Sequence, residues 1–525
     1  MIPILSAKEI KELDAATIKN EPILSIDLME RAAKALTNKF CKLYSKHQPV
    51  IIFCGQGNNG GDGLAISRLL HEKKYAVEVF ILVQKTASPD FEANHFRVQR
   101  IKKLFPKYIN TKSDFPKLKN DCVIIDAIFG SGLNKPVDGV AAELISHINK
   151  SKKEIVSVDL PSGFFADKIS SLSAETSSTA GVITKEVVKP EGNIIRASKT
   201  ISFQLPKKTF FFSSSYEFVG PWEKVDIGLD EKFLTETKCT DFFIEENDVR
   251  KILRPRKKFD HKGKFGHALI VAGSREKMGA AILASKACLL SGAGLTTAHV
   301  PNCGIAVLQS SIPDIMCSAD INEEEITFVK NAENYSAVAV GCGIGTSEKT
   351  SAALFNLLSS STKPFVLDAD ALNIISANKS WMKLIPENSI LTPHPKEFER
   401  MFGLFKNELE RNEAQKKFSI KHKIFIVLKG AYTCITSPNG NCFFNSTGNP
   451  AMAKGGSGDV LTGMLVSFLA QGYSPQDSCI FATFLHGRAG DIVAKHTGEN
   501  SFTASQLIKK IPKAFLSITK NEIED

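Results

Sequence analysis

The sequence predicts an α/β protein built from two successive doubly wound parallel sheets, and three observations predict it. Short continuous apolar runs ending in glycine or aspartate recur along the chain; helix-length amphipathic segments separate them; and this alternation fades near the middle and then begins again. A continuous apolar run is what a strand covered by helices on both faces requires, whereas a strand with one wet face would alternate. At 525 residues the chain also exceeds what one core supports, since cores rarely grow past about 250 to 300 residues. Domains over residues 1–240 and 241–525 are expected.

The elements follow in order. Ser6-Ala7-Lys8-Glu9 is a capping box, and apolar residues at helical spacing run on through Leu28, Met29, Ala32, Ala33 and Leu36, so the chain opens with helices. Val50 to Cys54 reads as a first buried strand, with similar runs at Val77 to Val83, Val123 to Ile125 and Ile155 to Val158. From Phe164 to Asp260 the rhythm weakens. Strands are expected there at Thr200 to Gln204 and Val225 to Ile227, an insertion loop at Lys168 to Lys199, and a basic interdomain linker near Arg254. The second series starts at Ala268 to Ala272 and continues with a small-residue helix at Gly279 to Ser291. Further strands are expected at Ala337 to Val340, Phe365 to Leu367 and Ile424 to Leu428, then a hairpin over Thr433 to Phe444 turning at Pro438-Asn439-Gly440. Apolar helices are expected at Asp459 to Leu469 and Ser478 to Lys495. No short-period repeat points to a solenoid or propeller.

Composition narrows the function classes. Apolar and charged fractions are those of a soluble globular protein, no apolar run reaches about 18 residues, and Met1 to Asp14 turns polar too early for a signal peptide, so a cytoplasmic protein without membrane partners is expected. Eleven cysteines without a C-x-x-C pair or regular spacing read as reduced, buried thiols. The net charge of +10 is partly local, because Arg250, Lys251, Arg254, Arg256, Lys257, Lys258, Lys262 and Lys264 lie close together. No aromatic-interleaved basic motif accompanies the run, so no nucleic-acid partner is expected.

Chemistry concentrates at strand ends. Gly55-Gln56-Gly57-Asn58-Asn59-Gly60-Gly61-Asp62-Gly63 follows the first strand and leads into a helix, where phosphates and riboses are held in doubly wound sheets. Its asparagines and Asp62 add oxygens suited to a hydroxyl-bearing substrate or a cation. Asp126, in Asp126-Ala127-Ile128-Phe129-Gly130-Ser131-Gly132-Leu133, and Asp159, in Asp159-Leu160-Pro161-Ser162-Gly163, end two further strands of the same sheet and converge on the same crevice. Partial burial there lifts a carboxylate towards the working range of an acid or base.

These motifs resemble the YjeF N-terminal family, the epimerase domain of the NAD(P)H-hydrate repair proteins, which interconverts the two C6 hydroxyl epimers of hydrated nicotinamide dinucleotides. The resemblance implies a Rossmann-like sheet. It implies that Asn58, Asn59, Gly60, Gly61 and Asp62, with Gly130, Ser131, Gly132, Leu133, Asn134, Lys135 and Pro136, line the substrate site. It further implies that Asn59, Asp126 and Ser162 hold a potassium ion and that Asp159 is the catalytic carboxylate. The serine-rich stretch after Gly163 departs from the family, whose next strand follows a short turn.

The second half carries its own ordered series: His261 to His267, Gly273-Ser274, Gly341-Cys342-Gly343-Ile344-Gly345, Asp368-Ala369-Asp370, Thr392-Pro393-His394-Pro395, Lys429-Gly430, Asn449 to Gly463, and His486 to Asp491. The run Asn449 to Gly463, NPAMAKGGSGDVLTG, places glycine amides and Asp459 at a helix N-terminus, an arrangement that favours an anion and the charge of phosphoryl transfer. The series resembles the YjeF C-terminal family, the NAD(P)H-hydrate dehydratase, on a ribokinase-like fold. The resemblance implies that Lys429, Gly430, Ala431, Tyr432 and Thr433, with Asn449, Pro450, Ala451, Met452, Ala453, Lys454, Gly455, Gly456, Ser457 and Gly458, surround the nucleotide. Ala280, Gly343, His394 and Asp459 would face the hydrated nicotinamide, with Asp459 catalytic. Asp368 or Asp370 either positions Mg²⁺ or is structural, and His394 either contacts substrate or is a satisfied turn histidine. Cys342 stands where the family has proline.

Together the two resemblances imply epimerisation of NADHX and NADPHX followed by dehydration of the S epimer at the expense of ADP, giving AMP and phosphate, in a homo-oligomer. Two readings compete. A ribokinase-like small-molecule kinase would use the same acid and release a stable phosphorylated product; a dinucleotide-binding protein without catalysis would need no phosphoryl-transfer acid.

Overall fold

In the computed structural model of the chain, residues 1–118, 121–168 and 193–519 are described. The insertion loop expected at Lys168 to Lys199 therefore lies mostly outside the described residues. Two compact units emerge: Pro3–Cys239 forms the first, and the residues from Thr240 onward, apart from Lys406–Leu409, form the second.

In the first unit, Ser6 caps the helix Ala7–Asn20 as the sequence predicts, its hydroxyl accepting from Glu9 N while Glu9 Oε2 accepts from Ser6 N. Helix Ser25–Leu43 buries Leu28, Met29, Ala32, Ala33, Leu36 and Phe40. Among the described residues, seven strands run in the order Lys107–Ile109, Val77–Leu82, Val50–Cys54, Val123–Ala127, Glu154–Val158, Lys199–Phe203 and Trp222–Val225, and every neighbouring pair is parallel. From Val50–Cys54 the chain winds outward in one direction, then returns to the other side of that strand at Val123–Ala127. Such a reversal opens a crevice at the carboxyl ends of the two strands. Lys107–Ile109, at the sheet edge, escapes the sequence reading because its first two residues are exposed and lack the apolar run of a covered strand.

The second unit repeats the plan. From Asp241–Phe243 its sheet runs through Cys442–Phe444, Cys434–Thr436, Phe425–Leu428, Ile390–Leu391, Phe365–Leu367, Ala337–Val340, His267–Val271 and Leu295–Val300 to Met316–Ala319. The expected hairpin is present, with Cys434–Thr436 antiparallel to both its neighbours. Here the winding reverses between His267–Val271 and Ala337–Val340, which sets a crevice at Gly273 and Gly341–Gly345. Helices Met278–Leu290 and Ser457–Ala470 pack over this edge, the latter starting two residues before the predicted Asp459.

One expectation is corrected. The basic segment near Arg254 is not a linker but part of the second unit: the Arg254 amide donates to the Tyr473 hydroxyl, its guanidinium lies 4.4 Å from that ring's centre, and Arg256 stacks on Phe265 at 3.9 Å. Arginine covers an aromatic face while its charge stays wet, so a run that reads as solvated linker also packs.

Candidate active sites

In the first unit, a cavity of about 630 Å³ opens at the sheet reversal, lined by Asn58, Asn59, Asp62, Gly130, Ser131, Gly132, Leu133 and Asp159 among others. Gly60 and Gly61 stand behind this lining. A Cβ on Gly60 would come within 1.8 Å of Gly55 O, so glycine there lets the helix Asn58–Glu72 begin directly against the strand-end turn. Asn134, Lys135 and Pro136 are exposed and outside the lining.

Asp126 is fully buried beneath the cavity, accepting from the Ser162 amide and the Ser157 hydroxyl at 2.8 Å and from the Ser162 hydroxyl at 2.5 Å. Burial raises its carboxyl above the usual range, and those hydrogen bonds oppose the rise. Asn59 Nδ2 donates to Val158 O at 2.9 Å, while its buried Oδ1 has no hydrogen-bond partner among the described residues.

Asp159 sits at φ +63° just past its strand. Its Oδ1 accepts from Lys207 Nζ at 2.8 Å, Phe203 N at 3.0 Å and Ser202 Oγ at 3.2 Å. Lys207, which the sequence reading misses, is 1% exposed and lines the cavity. Its signal was weak, one of two adjacent lysines after Pro206 with no glycine motif around it. Asp14, also missed, reaches the cavity from the first helix, and burial, with Asp159 nearby, raises its carboxyl to about 6. Burial and the charges of Asp159, Asp14 and Asp90 push Asp62 well above the usual carboxylate range.

In the second unit, Asp459 lies in the first turn of helix Ser457–Ala470. Gly456 precedes it at φ +88°, a left-handed conformation that suits glycine, and no side chain caps the helix, so its first amides have no side-chain acceptor. Burial raises Asp459 to about 6, against the lowering effect of the Cys342 thiol bonded to it. Asp368, 1% exposed, accepts from Lys429 Nζ and Thr462 Oγ1, each at 2.8 Å. Burial works against its charge, but Lys429, Thr462 and Thr392 hold it below the usual carboxylate range. Asp370 accepts from Gly345 N at 2.9 Å and lies 3.5 Å from Lys277 Nζ.

Lys429 is thus brought to Asp368, and a Cβ on Gly458 would stand 3.5 Å from Lys429 Nζ. Gly343 approaches Ala280, to whose Cβ its own would be 3.1 Å. His394 caps helix Pro395–Phe402, its Nδ1 accepting from Lys396 N at 3.1 Å and Glu397 N at 3.3 Å, so that ring nitrogen is occupied by the turn. Thr433 bonds back to Gly430 O, Ala431 and Gly430 are exposed, and Tyr432 is half-buried. In the other loop, Asn449 bonds Asp491 at 2.9 Å and caps the turn Pro450–Met452; Ala451 is buried, Met452 half-buried, and Ala453, Lys454 and Gly455 are exposed. His486, assigned no role in the sequence reading, donates from Nε2 to Ser457 O at 2.9 Å, and burial holds it neutral at about 4. It braces the glycine turn from behind. Among the described residues, no three His, Cys, Asp or Glu side chains are arranged to hold a metal ion.

The family model for NAD(P)H-hydrate dehydratase matches residues 268–513, and that for the YjeF-related protein N-terminus matches residues 25–209. A bifunctional NAD(P)H-hydrate repair enzyme from Moorella thermoacetica is 31% identical over 99% of this chain and 98% of its own length. The chain belongs to this family. A repair enzyme from Vibrio cholerae is 32% identical over 95% of this chain and 94% of its own. An ADP/ATP-dependent NAD(P)H-hydrate dehydratase from Bacillus subtilis, co-crystallized with ATP and Mg²⁺, is 31% identical over 53% of this chain and 98% of its own, with a TM-score of 0.47. The N-terminal match is the epimerase half of the NAD(P)H-hydrate repair family and the C-terminal match its dehydratase half. Among the described residues, no helix is long and apolar enough to cross a membrane.

Proposed function

We propose that the first unit epimerises NADHX and NADPHX at C6 through Asp159, and that the second dehydrates the S epimer with ADP through Asp459, releasing AMP and phosphate. The observation that carries the reading is the placement of Asp459. A carboxylate lifted to about 6, with no lysine at bonding distance among the described residues, stands in the first turn of a helix whose opening amides have no side-chain cap. At neutral pH such a group is ionised yet basic enough to take a proton.

Hydroxide is a poor leaving group and phosphate a good one. Asp459 takes the proton of the C6 hydroxyl as that oxygen attacks the terminal phosphorus of ADP and the bond to the AMP oxygen breaks. The amides at Ser457 and Gly458 and the Lys429 ammonium, beside Gly458, take up the developing charge. Phosphate then leaves C6 with the electron pair of the C6–O bond, and C5 gives its proton to the departing phosphate, the C–H pair forming the restored C5–C6 double bond. Mg²⁺ bound with the nucleotide would neutralise its phosphates, with Asp370 at the crevice edge as a carboxylate within this series. Asp368 is engaged by Lys429 and Thr462, which favours its structural alternative.

In the first unit the oxygen donors Asn59, Asp126 and Ser162 fit a hard monovalent cation. The partnerless, buried Asn59 Oδ1 is the atom that supports this fit. Potassium there would supply fixed positive charge beneath the substrate.

The test mixes both epimers of hydrated NADH with Mg²⁺ and ADP and follows the absorbance of restored dihydronicotinamide. Full recovery is expected from the native chain, and recovery of only the S share from Asp159→Asn. Asp459→Asn is expected to lose about 10³-fold or more in dehydration. Full turnover by Asp459→Asn, or accumulation of a stable phosphorylated product, sinks the reading.

A further inference from the structure

The epimerase cavity holds more acid than one catalytic carboxylate requires, and its carboxyl groups are wired differently. Asp159 is the ion-paired one. All three of its recorded side-chain bonds fall on Oδ1, from Lys207, Phe203 and Ser202, and Lys207 is itself pinned by Ser202 Oγ at 3.2 Å and Leu205 O at 3.3 Å. Oδ2 is left without a side-chain bond among the described residues. Asp159 holds this placement at a non-glycine φ of +63°, in the left-handed region where backbone strain is stored. Asp14 reaches the same cavity from helix Ala7–Asn20 and has no cation or side-chain donor of its own among the described residues.

We propose that Asp14 is a second catalytic carboxyl of this cavity, giving its proton to the C6 hydroxyl on one face of the ring while Asp159 takes the proton of the water that adds on the other. The proposal rests on the reading of this cavity as the epimerase site. The substrate's chemistry asks for both groups. C6 is bonded to the ring nitrogen, whose lone pair forms a C6–N double bond as the C6–O bond breaks, provided the oxygen leaves as water. Water adding to the opposite face of that planar cation makes the new C6–O bond, returns the electron pair to nitrogen and releases one proton. Asp14 has lost a proton and Asp159 has gained one; the reverse epimerisation, or exchange with bulk water, resets the pair. Microscopic reversibility makes each carboxyl acid in one direction and base in the other.

The surrounding charges sort the roles. Asp14 shares the cavity lining with Asp159, Lys207, Asp62, Asp90 and Lys11 of its own helix, and the charges of Asp159 and Lys207 act on it in opposite directions. Burial and Asp159 lift Asp14 to about 6 while Lys207 works the other way, which leaves a proton exchangeable near neutrality. Burial and the charges of Asp159, Asp14 and Asp90 raise Asp62 well above the usual carboxylate range. Two carboxyls in one site, one bonded by a lysine and one not, is an arrangement by which acid and base can be divided between like groups.

The experiment measures epimerisation of R-NADHX across pH in the full-length chain, with dehydration of the S epimer in the same samples as an internal rate standard and the melting transition as a check of folding. Asp14→Asn is expected to lower the epimerisation kcat by about 10² to 10⁴-fold with KM little changed, and to remove the limb of the pH profile near 6. Asp14→Glu, which keeps the acid, is expected to recover part of the rate and that limb. Native rate and profile in Asp14→Asn, with Asp159→Asn inactive, overturn the inference and leave the cavity's function standing. Full activity of Asp159→Asn overturns the reading of the cavity itself. Equal loss in folded Asp14→Asn and Asp14→Glu, with a raised KM and the limb unchanged, also overturns the inference, since it marks a packing role.

Discussion

The two units use the same parts, an aspartate at a strand end, a lysine and a cavity or crevice at a sheet reversal, yet they connect them oppositely. In the first, Lys207 pairs with Asp159, the carboxylate assigned the chemistry. In the second, Lys429 pairs with Asp368, and the carboxylate assigned the chemistry, Asp459, rides on a helix and is left without a lysine partner at bonding distance. The difference teaches how a carboxylate is held. An ion pair orients Asp159, while a second carboxyl, Asp14, lines the same cavity without a cation at bonding distance among the described residues. A carboxylate lifted by burial can accept and release the proton itself.

The largest test of this contrast removes the cations. Breaking a buried pair leaves an uncompensated charge and costs about 3 to 5 kcal/mol. Lys207→Met is expected to show that full loss in denaturant unfolding and Lys429→Met a smaller one, because the Lys207 side chain is 2% exposed and that of Lys429 23%. Equal losses would break the comparison. Next, the two aspartates assigned the chemistry are expected to change stability with opposite signs. Asp159→Asn strands the Lys207 ammonium and lowers the melting temperature. Asp459→Asn raises it, because holding that carboxyl at about 6 instead of 3.8 costs roughly 3 kcal/mol at neutral pH, before discounting for its partial exposure. The sign follows from linkage: a folded value above the unfolded one makes the cost full above about pH 6 and absent below about 3.8, so the gain from Asp459→Asn disappears in acid. The smallest effect is kinetic. Dehydration by the native chain is expected to rise with pH through about 6 to a plateau, and Cys342→Ala to move that midpoint modestly upward, since the thiol's bond lowers Asp459. An unmoved midpoint would show that the thiol, where the family has proline, does not act on the base.

Much of the fold was legible because covered strands need unbroken apolar runs. Val50–Cys54, Ala337–Val340 and Phe365–Leu367 have the predicted bounds. Leu295–Val300 escaped notice because Thr296, Thr297 and His299 interrupt its run, though all three are buried, with His299 Nδ1 bonded to the Ser318 hydroxyl on the neighbouring strand. Met316–Ala319, at the sheet edge, is half-covered or exposed throughout and carries no strong apolar signal. Ile390–Leu391 is too short to announce itself. Of the candidate sites, the glycine turns and the strand-end aspartates could be found because each motif is local. Lys207 and Asp14 could not, since each lies far along the chain from its partners and in no distinctive local pattern, and the motif containing His486 did not reveal that its ring braces Ser457.

The sequence by itself determined two doubly wound sheets, the glycine turns at their reversals and the carboxylates that end their strands, because hydrophobic period, glycine and helix starts act over a few residues. Only the tertiary structure decided which lysine meets which aspartate. Lys207 and Asp159 are 48 residues apart, Lys429 and Asp368 61 apart, and pairing across such distances is set by how the strands stack, so which aspartate carries the ion pair was decided by the fold.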